Sequence, residues 1–242
     1  MSRQRRVGVS ARVCLAMAIT GITLTVIILS SVAAFADDRM DAQQLVERAR
    51  LTTENFLADP NMEAFRDLLK RAKGVFIAPQ VFRGAFVFGA SGGSGVLLVR
   101  DEKSGSWNGP AFYTIGEVSF GLQAGAEASE VALLAMSERG VAAFQASSVK
   151  LGGDVGVAVG PFGGGAAAAT ANLSADIVSY ARSKGLYGGI SLDGAVVATR
   201  DALNKAYYGK DVTPPDILIR RTVENPQAAG LIGLIAKMAE TR

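Results

Sequence analysis

Residues 74–125 read GVFIAPQVFRGAFVFGASGGSGVLLVRDEKSGSWNGPAFYTIGEVSFGLQAG. In this segment, glycines interrupt short runs of β-branched and aromatic residues every few positions, and the same pattern returns in LYGGISLDG at residues 186–194. Val, Ile, Phe and Tyr favour a pleated, half-buried surface. Glycine within a strand marks a bulge, a tight bend or the close approach of another backbone or a ligand. The pattern therefore predicts a tightly curved sheet with little side-chain bulk between its layers.

The first 36 residues predict a secretory signal peptide. A basic region contains four arginines: Arg3, Arg5, Arg6 and Arg12. An uncharged apolar stretch, Val13–Phe35, follows it, and Ala34-Phe35-Ala36 forms an A-x-A cleavage site. We expect cleavage to release a domain of residues 37–242 into the periplasm or cell envelope. The alternative is an uncleaved inner-membrane anchor formed by residues 13–36, because the apolar run approaches the ~20 residues that span a bilayer.

Without the signal peptide, the chain offers little to attract nucleic acid or to perform catalysis. The formal net charge of +3 arises in residues 1–36, since the remainder holds 21 basic and 22 acidic residues. That balance removes the electrostatic reason to propose a nucleic-acid partner. The chain has no histidine, and its one cysteine, Cys14, leaves with the signal peptide. The usual general base, the commonest metal ligand and thiol chemistry are therefore missing. We predict no catalytic residue, metal site or cofactor.

Helical spacing dominates the start of the mature chain. Asp41–Ala58 predicts a helix, in which Asp41 and Gln44 form a capping box. A second helix is predicted from Met62 to Lys73, capped by Asn61 and closed by Gly74. Near the other end, we expect a short helix capped by Asp201 and ending at Tyr208, and a last amphipathic helix that begins at Asn225-Pro226.

Strand spacing dominates the middle of the chain. Strands are predicted at Val75–Ala78, Arg83–Phe88, Val96–Arg100, Ala111–Gly121 and Val149–Val159, with turns at Gly89–Gly95 and Asp101–Gly105. Ile177–Ala181 and Leu186–Leu192 predict a hairpin, whereas Glu130–Met136 fits either a helix or a buried strand. The sequence therefore predicts a single α+β domain: a mainly antiparallel, curved or barrel-like sheet flanked by N- and C-terminal helices.

Four cations form the candidate binding site: Lys70, Arg71, Lys73 and Arg83. The first three fall in the last turn of the second predicted helix, where positive charge compensates the helix dipole. Arg83 follows shortly downstream in a hydrophobic segment. Together the four side chains are also suited to contacting anionic lipid head groups. The residues themselves leave both interpretations open.

An ordered series of motifs resembles the SYLF domain, a lipid-binding domain first known from yeast actin-patch regulators. The series begins with Ala72-Lys73-Gly74-Val75-Phe76-Ile77-Ala78-Pro79 and continues through Trp107-x-x-Pro110-Ala111-Phe112. Ser179-Tyr180-x-Arg182-Ser183-Lys184-Gly185-Leu186-Tyr187 and Tyr207-Tyr208-Gly209 complete it. The similarity covers roughly Leu45 to Leu218. Glu117 is a departure, since the family has a small residue there, and it places a negative charge near any anionic ligand.

The resemblance implies a protein without enzymatic activity that binds phospholipid or a membrane surface. It also implies phosphoinositide binding in eukaryotic members, actin binding in some fungal ones, and lipid contact through an N-terminal amphipathic segment and nearby basic residues. In this chain, Lys70, Arg71, Lys73 and Arg83 occupy that place. Export would separate the protein from actin and phosphoinositides, so only the affinity for lipid is carried over. The alternative is a structural or assembly module of the cell envelope that binds protein partners. A hydrolase using Ser179 or Ser183 ranks third.

Overall fold

Two helical segments precede the sheet, as the sequence predicts. The computed structural model describes residues 37–85, 88–120, 125–160, 175–183, 186–188 and 192–240, so the predicted signal peptide lies outside the described residues. Helix α1 covers residues 37–58, a 3-10 turn covers Pro60–Met62, and α2 covers Glu63–Arg71. Both predicted caps are wrong. Asp41 lies inside α1, and it is the carboxylate of Asp59 that accepts the backbone N–H of Asn61.

Nine strands form one sheet among the described residues. They are β1 Gly74–Ala85, β2 Phe88–Arg100, β3 Trp107–Phe120, β4 Gly125–Ala135, β5 Ser148–Lys150, β6 Val157–Val159, β7 Ile177–Ser183, β8 Leu186–Gly188 and β9 Val196–Thr199. Their spatial order is β5-β9-β3-β2-β1-β4-β7-β6, with β8 paired to β7, and β6–β7 is the one parallel pair among these strands. The predicted antiparallel α+β fold is confirmed.

The predicted turn at Gly89–Gly95 is wrong, because those residues belong to β2. Its glycines allow close contact with the neighbouring strand β1. A Cβ on Gly95 would lie 2.6 Å from Cε2 of Phe76 and 2.7 Å from the carbonyl oxygen of Ile77, and a Cβ on Gly93 would lie 3.0 Å from Cα of Val81. The turn at residues 101–105 is confirmed, and residues 130–135 form strand rather than helix.

The sheet curls into a half-barrel whose two outer strands are neighbours in sequence. Strand β5 pairs with β9 at one edge, and β6 pairs with β7 at the other. Only residues 151–156 connect them, including a parallel bridge between Leu151 and Val155. The single strand predicted at Val149–Val159 is therefore wrong, because the chain crosses from one edge of the sheet to the other within it. The predicted hairpin is confirmed for β7 and β8, while residues 189–191 of its predicted second strand lie outside the described residues.

Alternate residues of each strand enter two separate cores. The first core joins the sheet to α1 and α2 and to two later helices, α4 (Asp201–Tyr208) and α6 (Ala229–Glu240), through residues such as Ile77 and Phe112. The second core fills the inside of the curl with residues such as Phe76 and Tyr113, and α3 (Glu138–Ala143) and α5 (Pro214–Leu218) close it. The sequence reading missed α3 and α5, which are only one or two turns long.

A buried amide fastens α4 to the sheet. Asn204 is fully buried; its Oδ1 accepts the backbone N–H of Phe112 at 2.9 Å, and its Nδ2 donates to the carbonyl of the same residue at 3.4 Å. Asp201 is the first residue of α4 rather than its cap, and Asn225 caps the 3-10 turn Pro226–Ala228 that leads into α6. No helix in the described parts of the chain is long and apolar enough to cross a bilayer.

Candidate functional site

Three of the four predicted cations lie together at the end of α2. Lys70 forms an ion pair with Asp67 at 3.0 Å, one helical turn away. Arg71 is exposed and forms no ion pair with any residue that the structure describes. The carbonyl oxygen of Lys70 accepts a hydrogen bond from the guanidinium of Arg100 at 3.1 Å, which satisfies one of the carbonyls left open at a helix end. Lys70 and Arg71 fall in the last turn of α2, as the dipole interpretation requires, whereas Lys73 lies beyond the end of the helix.

Lys73 connects three elements. Its ammonium contacts the carboxylates of Glu102, in the turn after β2, and Glu138, the first residue of α3. The hydrogen bond to Glu102, and then that to Glu138, raises the pKa of Lys73, and the same contact lowers the pKa of Glu102. Its charge is compensated inside the protein, so an anionic ligand would have to compete with two carboxylates.

The structure places Arg83 far from the other three cations. It lies ten residues beyond Lys73 on β1, which at the usual rise of an extended strand is about 30 Å. Its guanidinium lies 3.2 Å from a carboxylate oxygen of Glu117, two strands away, and Glu127 is its direct neighbour on β4. Glu117, the departure from the family pattern, is therefore the ion-pair partner of Arg83. The four cations do not form one continuous patch.

Exposed apolar residues that the sequence did not predict lie on the opposite face of the sheet from Arg83. Phe82 is 59% exposed and Val196 is 41% exposed, and both lie in one lateral row across five strands. The pairing that defines this row, which we call the Phe82 row, is Ala128–Phe82–Gly92–Gly116–Val196, and the exposed Lys150 of β5 pairs with Val196 beyond its end. Val81 enters the second core, so Phe82, its neighbour, lies on the face that the helices cover elsewhere. The helices leave this end of the face uncovered.

Gly92 in the Phe82 row and Gly84 beside it have no evident internal purpose, whereas a Cβ on Gly116 would lie 3.3 Å from the carbonyl oxygen of Ser91. A Cβ on Gly92 would have one neighbour within 4 Å, at 3.9 Å, and a Cβ on Gly84, two residues beyond Phe82, would have none. Neither backbone has a positive φ. Glycine in a strand interior costs about 0.5–1 kcal/mol relative to alanine. Gly84 and Gly92 thus expose uncharged backbone at a cost in stability. The frequent glycines were visible in the sequence, but the face of the sheet that each one occupies was not.

The residues of the hydrolase hypothesis form no catalytic arrangement among the described residues. Ser179 donates to the carbonyl of Ala158 at 3.2 Å, and Arg182 pairs with Glu130 at 3.0 Å, so both support the packing of β7. The hydroxyl of Ser183 is buried, with no hydrogen-bond partner in the described part of the chain. No cluster of three or more acidic, histidine or cysteine side chains suited to a metal occurs there either.

Known proteins resemble this chain over most of its length. Protein YSC84 of Saccharomyces cerevisiae is 33% identical over 177 residues, which is 71% of this chain and 37% of the yeast protein. The human SH3 domain-containing YSC84-like protein 1 is 31% identical over 201 residues, or 82% of this chain and 57% of the relative. LAS seventeen-binding protein 3 of the same yeast is 32% identical over 177 residues, 72% of this chain and 38% of that protein. The chain thus spans between about a third and three fifths of these relatives.

A family model gives the assignment. The model described as "Ysc84: Las17-binding protein actin regulator" matches residues 116–238, just over half of the chain. The match runs from β3 to α6 and includes Asn204, which fastens α4 to the sheet. The resemblance inferred from the motifs is confirmed: the chain belongs to the Ysc84 family of SYLF-domain proteins.

Proposed function

We propose that this chain is an exported, non-enzymatic protein that binds lipid at a membrane surface. The observation that carries the proposal is the Phe82 row, an exposed apolar surface on an otherwise covered sheet face. A fluid lipid surface needs no shape-specific complement, so an exposed apolar row is sufficient to contact it. The relatives of this chain are named for binding and regulation rather than for catalysis, which supports the non-enzymatic role.

The backbone of the Phe82 row is suited to an apolar environment. Strands β1 and β2 are each paired on both sides at this level, to β4 and β3 as well as to each other. Their peptide groups can therefore approach lipid without losing hydrogen bonds to water, which would be costly in hydrocarbon. On the opposite face, Arg83 is neutralised by Glu117. Arg71 remains the exposed cation best suited to an anionic head group.

Vesicle co-sedimentation of the mature chain tests the proposal. Burial of a phenylalanine is worth about 1.5–3 kcal/mol, so Phe82→Ser should weaken binding to phosphatidylcholine vesicles roughly tenfold. The matched control is Leu51→Ser, which removes a 46% exposed apolar side chain from α1. Arg71→Gln should weaken binding only when phosphatidylglycerol is added. If the unsubstituted protein binds neither vesicle, the proposal is wrong.

The charge test separates the two contact surfaces. If the four cations predicted from the sequence, Lys70, Arg71, Lys73 and Arg83, carried the lipid binding, that binding would fall steeply between low and high salt. If the Phe82 row carries it, salt should have little effect on phosphatidylcholine binding. Export rests on residues 1–36 and is tested separately: N-terminal sequencing of the protein from the periplasmic fraction should begin at Asp37. A sequence that begins at Met1 would favour the membrane anchor.

A second candidate is a structural or assembly module of the cell envelope that binds a protein partner. The observation that favours it is the naming of relatives as LAS seventeen-binding proteins. Because this chain covers only 38% of that relative, the named binding can belong either to the part of the relative that resembles this chain or to the remainder. Crosslinking in cells that recovers one protein at a fixed ratio, together with no vesicle binding, would favour this function.

A further inference from the structure

A cavity of about 380 Å³ lies far from the Phe82 row, where the beginning of β3 meets α5, α6 and the segment between those helices. Trp107, Ile217, Val223 and Ile232 give it an apolar lining, and Arg221 and Glu224 lie at the same cavity. A volume of this size is within the range of pockets that hold small molecules. At about 30 Å³ for each water-sized group, it holds about a dozen non-hydrogen atoms.

Gly233 leaves open space in this cavity, and the packing of the fold does not require glycine at this position. It lies within α6 and lines the cavity, and a Cβ placed on it would meet no atom within 4 Å. Glycine in a helix interior costs about 0.8–1 kcal/mol relative to alanine. Gly230, one turn earlier, differs: its Cβ would lie 3.2 Å from the side chain of Arg50. An alanine at 233 would fit the fold and would narrow only the cavity.

Trp107 lines the cavity and carries an unused hydrogen-bond donor that is itself buried. The ring is 4% exposed, and its Nε1–H is buried without an acceptor among the residues that the structure describes. Such a group costs about 1–3 kcal/mol when it stays unpaired. Because the nitrogen is shielded from solvent, a ligand oxygen reaches it only if the ring turns toward the cavity. Trp107 is the one tryptophan in the chain, so this movement would change the intrinsic emission of the protein.

Arg221 adds backbone strain at the cavity, and Asp101 compensates its charge. Its φ is +54°, and it is the one non-glycine residue with a positive φ in the described part of the chain. Such strain, which costs of order 1–3 kcal/mol, clusters at ligand-binding sites. Its guanidinium contacts the carboxylate of Asp101, whose pKa is lowered first by hydrogen bonds from Ser104 and then by Arg221. Glu224 contributes the opposite charge at the lining.

From these observations we infer that the cavity binds a small, uncharged amphipathic molecule. The apolar part of the ligand lies against Ile217, Val223 and Ile232, and an oxygen accepts the indole N–H of Trp107. An anionic ligand would compete with Asp101 for Arg221 and would face Glu224, which disfavours it. This site is separate from the proposed membrane contact, because Phe82 is not part of its lining.

Titration of the mature chain with 1-octanol tests the site, with Trp107 emission and calorimetry as readouts. Octanol has an eight-carbon chain and one hydroxyl. Octane lacks the acceptor, and octanoate carries a negative charge. We expect a saturable change of emission with octanol, and binding of octane and octanoate at least tenfold weaker. Gly233→Leu fills the cavity and should weaken octanol binding at least tenfold, whereas Gly230→Ala on the same helix should leave it within twofold.

Gly233→Ala provides a second variant that is expected to fold, since it adds one methyl group in open space. It should unfold at a higher temperature than the unsubstituted protein while binding octanol more weakly. The inference is overturned if octanol gives neither saturable emission nor heat, or if Gly233→Leu binds it unchanged. Tighter binding of octanoate than of octanol would overturn the assignment to an uncharged ligand. Phe82→Ser should retain octanol binding, which separates this test from that of the membrane contact.

Discussion

Replacing Gly95 by alanine should destabilise the protein, and replacing Gly92 by alanine should stabilise it. The two glycines lie three residues apart on β2, but only Gly92 has room around it for a Cβ. Gly95 is buried under the ring of Phe76, whereas Gly92 belongs to the exposed Phe82 row. The pair therefore tests the register of the glycine-rich strand on which the fold depends.

The collision at Gly95 sets the size of the loss. A new Cβ would lie 2.6 Å from a ring carbon of Phe76 and 2.7 Å from the carbonyl oxygen of Ile77, whereas comfortable carbon contacts are about 3.5–4.0 Å. The ring cannot move away easily, because it stacks on Phe144 at 6.2 Å and meets Tyr113 edge-on at 6.4 Å. Overpacking of a core costs about 1–3 kcal/mol. With backbone on one side and packed rings on the other, we expect the upper end of that range.

The reduced backbone freedom of alanine in the unfolded chain offsets part of this loss. That term is about 0.5–1 kcal/mol in favour of either variant. The net loss at Gly95 is therefore about 2 kcal/mol. For a chain of this size, 1 kcal/mol shifts the melting temperature by about 2–4 °C, so Gly95→Ala should melt about 4–8 °C lower. Gly92→Ala keeps only the favourable term and should melt about 1–4 °C higher.

Thermal unfolding followed by far-UV circular dichroism measures both shifts, with urea unfolding as a second measure of the free energy. The order of the three proteins is the decisive result. If Gly95→Ala were as stable as the unsubstituted chain, its close contact with Phe76 would be refuted. If Gly92→Ala lost as much as Gly95→Ala, the exposed side of β2 would have been assigned wrongly.

Two further predictions concern residues that connect elements. Asn204→Leu leaves the buried backbone N–H of Phe112 without its partner, while the carbonyl of Phe112 keeps the backbone N–H of Arg200 at 2.9 Å, so urea unfolding should show a loss of about 1–3 kcal/mol; an unchanged midpoint would contradict the pairing. Lys73 lowers the pKa of Glu102, so the stability from that carboxylate is present above the pKa of unfolded glutamate, about 4.3, and is lost as the pH falls through the lower folded value. Lys73→Met should therefore show a shallower loss of stability in acid than the unsubstituted protein, and parallel pH curves would count against this role.

Much of the fold follows from local patterns, but the paths between strands do not. Runs of β-branched, aromatic and other apolar residues predicted the strands around Val96–Arg100 and Ile177–Ala181, and helical spacing predicted α1 and α6. The glycines at 89–95 led to the wrong prediction of a turn, because glycine suits both a turn and a strand that a neighbouring backbone or ring approaches closely. Only the contact between Gly95 and Phe76, which lie on different strands, distinguishes the two. The crossing within 149–159 was equally invisible, since each half has strand-like spacing.

The candidate site could likewise be predicted only in part from the sequence. Lys70, Arg71 and Lys73 are close in sequence, so their grouping could be predicted. Their partners could not be, because Glu102 and Glu138 reach Lys73 from distant elements. The distance to Arg83 depends on β1 continuing unbroken through residues where two separate strands were predicted. The cavity near Trp107 combines residues more than a hundred positions apart, and no local pattern indicates it.

The glycines therefore divide into two classes with different meanings for function. Those at 93 and 95 are required by the fold, because a Cβ there would strike a neighbouring strand or ring. Those at 84, 92 and 233 have open space around the missing Cβ, and each of them reduces stability without serving the packing. The first class explains why the sheet can curl so tightly. The second lies at the two surfaces for which we propose ligands, so a glycine that the fold does not need is the better guide to where this protein binds.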